Sequence, residues 1–219
     1  MRRRDFIARL GSAAASRRIK GLKEANGMKR TLKAAVAALV LAVGLAGSVA
    51  AGPYEDGTAA ARRGDYATAM RLLRPLADQG DSSAQVFLGH LFRVIIPPDY
   101  AAAASWFSKA AEHGNAFAQD QLGFQYANGL GVTQDHAAAA SWYRKAADQG
   151  HADAQGRLGF QYANGLGVTR DYVTAHMWFN LAAARGNRDA EKERDKIAAQ
   201  MTPEQIAQAQ KLAREWKPK

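Results

Sequence analysis

The sequence predicts an all-α protein, an α-solenoid of stacked helix-turn-helix repeats closed by capping helices. The first observation is internal repetition, because Asn115–Gly150 and His151–Gly186 are identical at 21 of 36 aligned positions. The second is the recurrence of apolar residues every three or four positions, which is typical of helices. The third is the glycine between these segments. Repeats of this length form arrays in which each unit covers the apolar face of its neighbour.

Less regular copies of the unit precede these two. Asp99, Trp106 and Gly114 lie 36 residues before Asp135, Trp142 and Gly150, and a fainter copy begins at Tyr54. We therefore predict about four repeat units with capping helices after them. The units are residues 54–80, 81–114, 115–150 and 151–186, and the caps lie in 187–219.

Each unit is expected to contain two helices. In the third unit Leu122 and Tyr126 lie four residues apart, and Asn128-Gly129 ends their helix because both residues tolerate a left-handed conformation. Thr133 or Asp135 then starts the second helix. Trp142 belongs to its apolar stripe, so we interpret it as a packing residue. Replacing it by Ala is expected to cost about 3–5 kcal/mol.

Two further segments depart from the repeat. Thr202, Pro203 and Gln205 have the spacing of a capping box with proline at the first helical position, which predicts a C-terminal capping helix. The segment 94–98 (VIIPP) replaces the glycine loop of the other units. Its branched residues either fold onto the N-terminal cap, which we favour, or form an exposed contact patch.

The repeated residues carry a family resemblance. The string from Ala118 through Leu122-Gly123, Gly129 and Asp135 to Gly150 resembles the SEL-1-like repeat, a relative of the tetratricopeptide repeat. The match recurs nearly complete from Ala154 to Gly186 and is partial before Asn115. The resemblance implies a right-handed α-solenoid that binds other proteins, and it implies export, since bacterial members are often exported.

The net charge of +10 resides at the N-terminus. Residues 1–51 contain 11 of the 30 Lys and Arg but 2 of the 20 Asp and Glu, so residues 52–219 hold 19 basic and 18 acidic side chains. Proteins that bind nucleic acid neutralise phosphates with a basic face. The nearly neutral body therefore argues against a nucleic-acid partner.

Residues 28–51 predict a secretory signal peptide. Lys29, Arg30 and Lys33 precede an uncharged apolar run, and small residues follow it up to Ala50 and Ala51. We expect cleavage near Ala50 or Ala51, a periplasmic or secreted protein and no stable membrane insertion afterwards. A retained anchor helix is the alternative. Residues 1–27 indicate either a twin-arginine leader or a start codon placed upstream of the true start at Met28.

Sequence motifs for catalysis are missing. The chain has no cysteine, and its five histidines form no HExxH pattern. We therefore predict no catalytic residue, no metal site and no cofactor, and the expected partner is another protein or peptide. A cell-envelope hydrolase or another enzyme on the same scaffold remains the alternative, and the sequence does not indicate the oligomeric state.

The candidate partner-binding residues come from the helical wheel of the first helix. Phe124 lies nearly opposite Leu122, and His90 and Phe160 occupy the same repeat position. If first helices line the inner curve, these three residues form a row along a groove, and Gln125 and Gln161 border it and can hydrogen-bond a partner. Alternatively, the phenylalanines pack against the next unit's first helix.

Overall fold

The computed structural model of the chain describes residues 52–95 and 97–219. The predictions for the basic leader in 1–27 and for the signal peptide in 28–51 concern residues outside these ranges, as does any interpretation of Ile96. Of the helices within the two described ranges, none has both the length and the apolar character that crossing a bilayer requires.

Ten α-helices and no strand are found in the described residues, which confirms the all-α prediction. In chain order they are α1 (Pro53–Arg62), α2 (Tyr66–Asp78), α3 (Ser82–Val94), α4 (Tyr100–Glu112), α5 (Ala116–Asn128), α6 (His136–Asp148), α7 (Ala152–Asn164), α8 (Tyr172–Ala183), α9 (Arg188–Ala198) and α10 (Pro203–Glu215).

Consecutive helices form hairpins, and consecutive hairpins stack, because helices α1 to α8 pack mainly against their neighbours along the chain. Equivalent residues have equivalent surroundings. Leu122 and Leu158 are both buried, and the helical Gly123 lies against the Tyr143 ring as Gly159 lies against Phe179. Such equivalence is what stacked repeats require, and it confirms the α-solenoid.

The helix ends follow local chemistry. Asp135, rather than Thr133, starts α6, since its Oδ1 accepts the N–H groups of Ala137 and Ala138 at 2.8 and 2.9 Å. At α10 the capping box is present as predicted: the Thr202 N–H donates to Gln205 Oε1, and the Gln205 N–H donates to Thr202 Oγ1.

The glycine loops pack against the preceding unit. Gly131 has a φ of 72°, and a Cβ built there would overlap the backbone carbonyl of Tyr100 at the start of α4. Gly167, with a φ of 69°, meets the backbone of His136 at the start of α6 in the same way. The two loops therefore hold successive hairpins at the same relative position, which only a residue without a side chain permits.

The last two helices cover α8 instead of forming a hairpin of the repeat type. Both α9 and α10 pack against α8. From the end of α10, the Trp216 ring meets the Trp178 ring edge-on at 6.2 Å between centroids, and the Lys219 N–H donates to the Asp148 carbonyl at 2.9 Å. As a result Trp178 is 2% exposed, whereas Trp142 at the same position of the preceding unit is partly exposed.

In the segment 94–98, which replaces the glycine loop, one residue packs on the N-terminal cap and another is exposed. Ile95 packs against the cluster that contains Ala60 of α1 and Leu73 of α2, as the cap interpretation requires. Val94 is 56% exposed, so for this residue the cap interpretation is wrong.

Candidate functional site

The predicted row of partner-binding residues lies on α3, α5 and α7, the first helices of three successive units. We call the side of these helices that carries His90, Phe124 and Phe160 the first-helix face. The three residues occupy one repeat position, yet their exposure differs: Phe160 is 47% exposed, while His90 and Phe124 are half-buried.

Phe160 is the aromatic residue of this row that is available to a partner. Phe124 instead contributes to the core, since it packs against the cluster that contains Tyr143 and Leu158. Phe124 is therefore a packing residue, as one of the two predictions stated, and Phe160 is exposed, as the other stated.

His90 is held by aromatic packing. Its ring meets the Phe107 ring edge-on at 5.4 Å between centroids and lies 5.2 Å from the Phe117 ring. Burial, assisted by the charge of Arg93, lowers the pKa of His90 below its ordinary value. The side chain is therefore mainly neutral at pH 7, and its ring packs between Phe107 of α4 and Phe117 of α5.

The prediction that Gln125 borders an open groove is wrong, whereas Gln161 lines a cleft rather than an open groove. Gln125 is fully buried, and Gln161 is 3% exposed. With 3.6 residues per turn, Gln125 falls about 60° from Leu122 on the same side as Ala118, which is the packed side. The helical wheel therefore predicts that both glutamines are buried. Of the two, only Gln161 lines a cleft.

Two arginines flank Phe124 on the first-helix face. The Arg93 and Arg157 guanidinium carbons lie 5.8 and 5.2 Å from the Phe124 ring centroid, within the range of a cation–π contact. Arg157 also forms an ion pair with Asp120, which is 1% exposed. Gln121 joins the two sides, because it accepts from Arg93 and donates to Asp120 at 3.1 Å.

None of the four residues Arg93, Asp120, Gln121 and Arg157 is among those predicted from the sequence to bind a partner. Asp120 and Gln121 are replaced by Gly156 and Arg157 in the next repeat, within two helices that are otherwise nearly identical. Positions that differ between near-identical repeats are free of the scaffold's requirements. The differences between these two repeats could therefore have identified Asp120, Gln121 and Arg157 as candidate functional residues.

Two clefts open on the first-helix face, one on each side of Phe160 and Arg157. The Phe124–Phe160 cleft, between α5 and α7, has a volume of about 270 Å³. Its lining consists of Phe124, Ala127, Asn128, His136, Tyr143, Arg157, Phe160, Gln161 and Leu166. The Phe160–Glu193 cleft, between α7 and α9, has a volume of about 370 Å³ and contains Asp153, Asp189 and Glu193.

The chemistry of these clefts suits recognition. Burial raises the pKa of Tyr143, so its hydroxyl stays protonated at neutral pH. In the Phe160–Glu193 cleft, Asp189 and Glu193 pair with Lys192 and Lys196 at 3.3 and 3.5 Å. Within the described ranges, no group of three His, Asp or Glu side chains is arranged to hold a metal ion.

Similar helical hairpins that stack in an array define a repeat protein of the α-solenoid class. The exposed Phe160 between two clefts is the candidate binding residue of this array. The family model of the Sel1 repeat matches four consecutive segments, residues 48–81, 82–115, 116–151 and 152–187. These segments make up more than half of the chain, which therefore belongs to the Sel1 repeat family. Members of this family are generally scaffolds for protein–protein interactions.

The solved structures that are similar to this chain include two repeat proteins of bacterial origin. One is the crystal structure of c5321, a protective antigen present in uropathogenic Escherichia coli strains displaying an SLR fold. It is 37% identical, with a TM-score of 0.65 over 69% of this chain and 33% of that chain. The other is a Sel1 repeat protein from Oxalobacter formigenes, 32% identical, with a TM-score of 0.59 over 64% of this chain and 59% of that one. Comparison with curated proteins found no significant match.

Proposed function

We propose that this chain is an exported protein-interaction module of the bacterial cell envelope, and that it holds a segment of a partner protein against the first-helix face. The observation that carries the proposal is Phe160, which is 47% exposed and stands between two clefts. Aromatic side chains at the centre of an interface supply a large share of the binding free energy. The scaffold role of the family supports the same class of function.

Two biological roles use this docking. As a scaffold, the chain holds components of an envelope or polysaccharide-secretion complex together. As a periplasmic regulator, it keeps a sensor protein inactive by occupying its surface. Both roles require the same contact at Phe160.

A hydrolase is less well supported. General acid–base catalysis needs titratable groups whose pKa values suit proton transfer and which converge on one pocket. No carboxylate is among the described residues that line the Phe124–Phe160 cleft, and burial raises the pKa of Tyr143, so its hydroxyl keeps its proton at neutral pH. The carboxylates of the Phe160–Glu193 cleft are at the surface, since the Asp189 side chain is 93% exposed and the Glu193 side chain 38% exposed.

A photo-crosslinking residue at position 160 tests the docking. We expect p-benzoylphenylalanine in place of Phe160 to give a discrete adduct with one partner in intact cells, because this position lies at the centre of the proposed interface. Leu212, an exposed apolar residue of α10 that lines neither of the two clefts, provides the control position. Mass spectrometry of the adduct identifies the partner. Equal labelling from positions 160 and 212, or no adduct from 160, would contradict the proposal.

Phe160→Ala separates binding from stability. Because half of the side chain is already in water, we expect the free energy of unfolding to change by less than about 1 kcal/mol, while capture of the crosslinked partner falls at least about tenfold. Leu212→Ala serves as the matched control and retains capture. Unfolding in urea, followed by circular dichroism, measures stability. A large loss of stability would show that Phe160 belongs to the core.

Export is tested by the N-terminus of the protein recovered from cells. We expect the periplasmic fraction to contain a chain that starts near residue 51 or 52, since signal peptidase cleaves after small residues. Mass spectrometry of the intact protein gives the start directly. A chain that retains residues 28–51 and sediments with membranes supports the anchor alternative instead.

A further inference from the structure

The Phe124–Phe160 cleft contains two buried polar atoms that have no hydrogen-bond partner among the described residues. They are the Gln161 Oε1 atom and the His136 Nδ1 atom. A buried polar atom without a partner costs roughly 1–3 kcal/mol. A ligand that supplies the missing hydrogen bonds therefore gains affinity and specificity in this cleft.

Gln161 differs from the structural glutamines of the fold in what its side-chain N–H₂ group does, since the Oε1 atoms of Gln85 and Gln155 are also buried without a partner among the described residues. The side-chain amides of Gln85, Gln119 and Gln155 each donate to a backbone carbonyl eight residues earlier, at 2.9 to 3.1 Å. For the Gln161 amide no such bond is found within the part of the chain that the structure describes. The residue is 97% buried and lines the cleft. Its side-chain amide is therefore available to a ligand in the cleft and does not bind the backbone as the other three amides do.

The charges at the cleft do not favour a charged occupant. Arg157 lies in the wall, with its guanidinium carbon 5.2 Å from the Phe124 centroid and 5.9 Å from the Tyr143 centroid. No Asp or Glu of the described ranges lines this cleft, so a lysine or arginine side chain would find no opposite charge there. Asp120 already pairs with Arg157, so an anion would have to compete with the Asp120 carboxylate for the guanidinium group. A neutral occupant fits these conditions.

The walls favour a flat, apolar group. Phe124, Tyr143 and Phe160 all line the cleft, and aromatic rings pack favourably edge-on or in offset stacks. The volume of about 270 Å³ lies below the roughly 300–1,000 Å³ of cavities for drug-sized ligands, so the cleft takes one side chain. Of the phenylalanine, tryptophan and tyrosine side chains, which are the large apolar aromatic groups, the tyrosine hydroxyl both donates and accepts hydrogen bonds, indole only donates, and phenyl does neither.

We propose that the Phe124–Phe160 cleft binds a tyrosine side chain of the partner segment, with its ring against Phe124 and Phe160 and its hydroxyl directed at Gln161 and His136. The hydroxyl donates to Gln161 Oε1 and accepts from His136 Nδ1 when that nitrogen carries the proton. This inference rests on the proposed docking function and specifies the chemistry of the partner.

The test uses N-acetyl-tyrosine amide as the probe and the ¹⁵N-labelled protein. We expect saturable shifts of the Gln161 side-chain amide signal, with a dissociation constant of about 0.1–10 mM, a range suited to a ligand of this size. N-acetyl-phenylalanine amide and N-acetyl-lysine amide are expected to bind at least about tenfold more weakly. Equal affinity for the tyrosine and phenylalanine probes, or no saturable shift with the tyrosine probe, overturns the inference.

Gln161→Leu is the decisive variant, and Gln125→Leu is its matched control. Both glutamines belong to the repeated segment LGFQYANGLGVT, and both are buried, but only Gln161 lines the cleft. Gln161→Leu should remove the preference for tyrosine over phenylalanine, whereas Gln125→Leu should keep it. The same loss in both variants contradicts the proposal.

Phe160→Ala keeps the test informative if Gln161→Leu does not fold. This variant removes one wall of the cleft at an exposed position, and it should weaken the tyrosine probe at least about threefold. Unchanged binding of the probe to Phe160→Ala would count against the assignment. An adduct from position 160 without tyrosine binding leaves the docking function standing and rejects the tyrosine assignment, whereas failure of both tests rejects both proposals.

Discussion

Trp178→Ala is expected to lower the free energy of unfolding by about 3–5 kcal/mol, the range for large-to-small changes at buried aromatic residues. The indole is 2% exposed, packs in the same cluster as Leu158 and Tyr143, and meets the Trp216 ring from α10. Its loss leaves a cavity and also weakens the attachment of the C-terminal helix to α8. Urea unfolding followed by circular dichroism measures the change.

Trp142→Ala is the matched control for this prediction. Trp142 has the same repeat position in the preceding unit, but it is partly exposed, and the Lys145 ammonium lies 3.7 Å from its ring centroid. The loss should therefore be smaller than for Trp178→Ala and below the 3–5 kcal/mol that the sequence suggested. Equal losses in the two variants would show that α10 adds nothing to the stability of the last unit.

Hydrogen exchange adds a second measurement on the same variants. In a stacked array, each unit is stabilised by its neighbours, so a weakened interface lowers the free energy of local unfolding mainly in the helices beside it. Trp178→Ala should accelerate exchange in α10 before it affects α3 and α4. Uniform acceleration along the chain would contradict the role assigned to the Trp178–Trp216 contact.

Gly131→Ala is expected to cost more than about 2 kcal/mol. The residue has a φ of 72°, a conformation that costs an L-residue roughly 1–2 kcal/mol. In addition, its Cβ would overlap the Tyr100 carbonyl, so the loop must move away from α4. Thermal and urea unfolding both report this loss, and Gly167→Ala should behave alike because it meets the His136 backbone.

Gly114→Ala isolates the backbone contribution. Gly114 also has a positive φ, of 85°, but no heavy atom lies within 4 Å of a Cβ built there. This variant should lose only the conformational cost of about 1–2 kcal/mol. The difference between the two variants then measures the contact between the loop and the preceding unit. If Gly114→Ala and Gly131→Ala lose the same stability, the contact does not stabilise the array.

The repeat pattern predicted most of the fold. Identical residues at a fixed spacing force identical local structures, so the helices of the third and fourth units and their caps could be derived from residues such as Asp135 and Gly129. The capping box at Thr202 was equally local. The binding site was harder to predict from the sequence, because exposure at one repeat position depends on which helix comes next. His90, Phe124 and Phe160 have the same repeat position and differ in burial.

The buried glutamines show a different kind of error. The wheel placed Phe124 and Phe160 opposite the packed stripe, but only Phe160 is exposed, because Phe124 packs against the core. The polarity of Gln125 and Gln161 suggested a groove border, although their positions lie on the packed side. Position on the helix determined their burial and polarity did not. Among the described residues, the Gln161 Oε1 atom has no hydrogen-bond partner and Gln161 lines a cleft, whereas the sequence predicted the same role for Gln125 as for Gln161.

The amino-acid sequence by itself determined the helical units, their number and most of their ends, because these depend on residues within one turn or one repeat of each other. Only the tertiary structure decided where the glycine loops rest, that α10 covers Trp178, and that Arg157 and Asp120 meet across two repeats beside Phe124. These contacts join residues more than 30 positions apart. They depend on the rotation between hairpins, which arises when close-packed side chains of successive units find the arrangement that leaves no large voids.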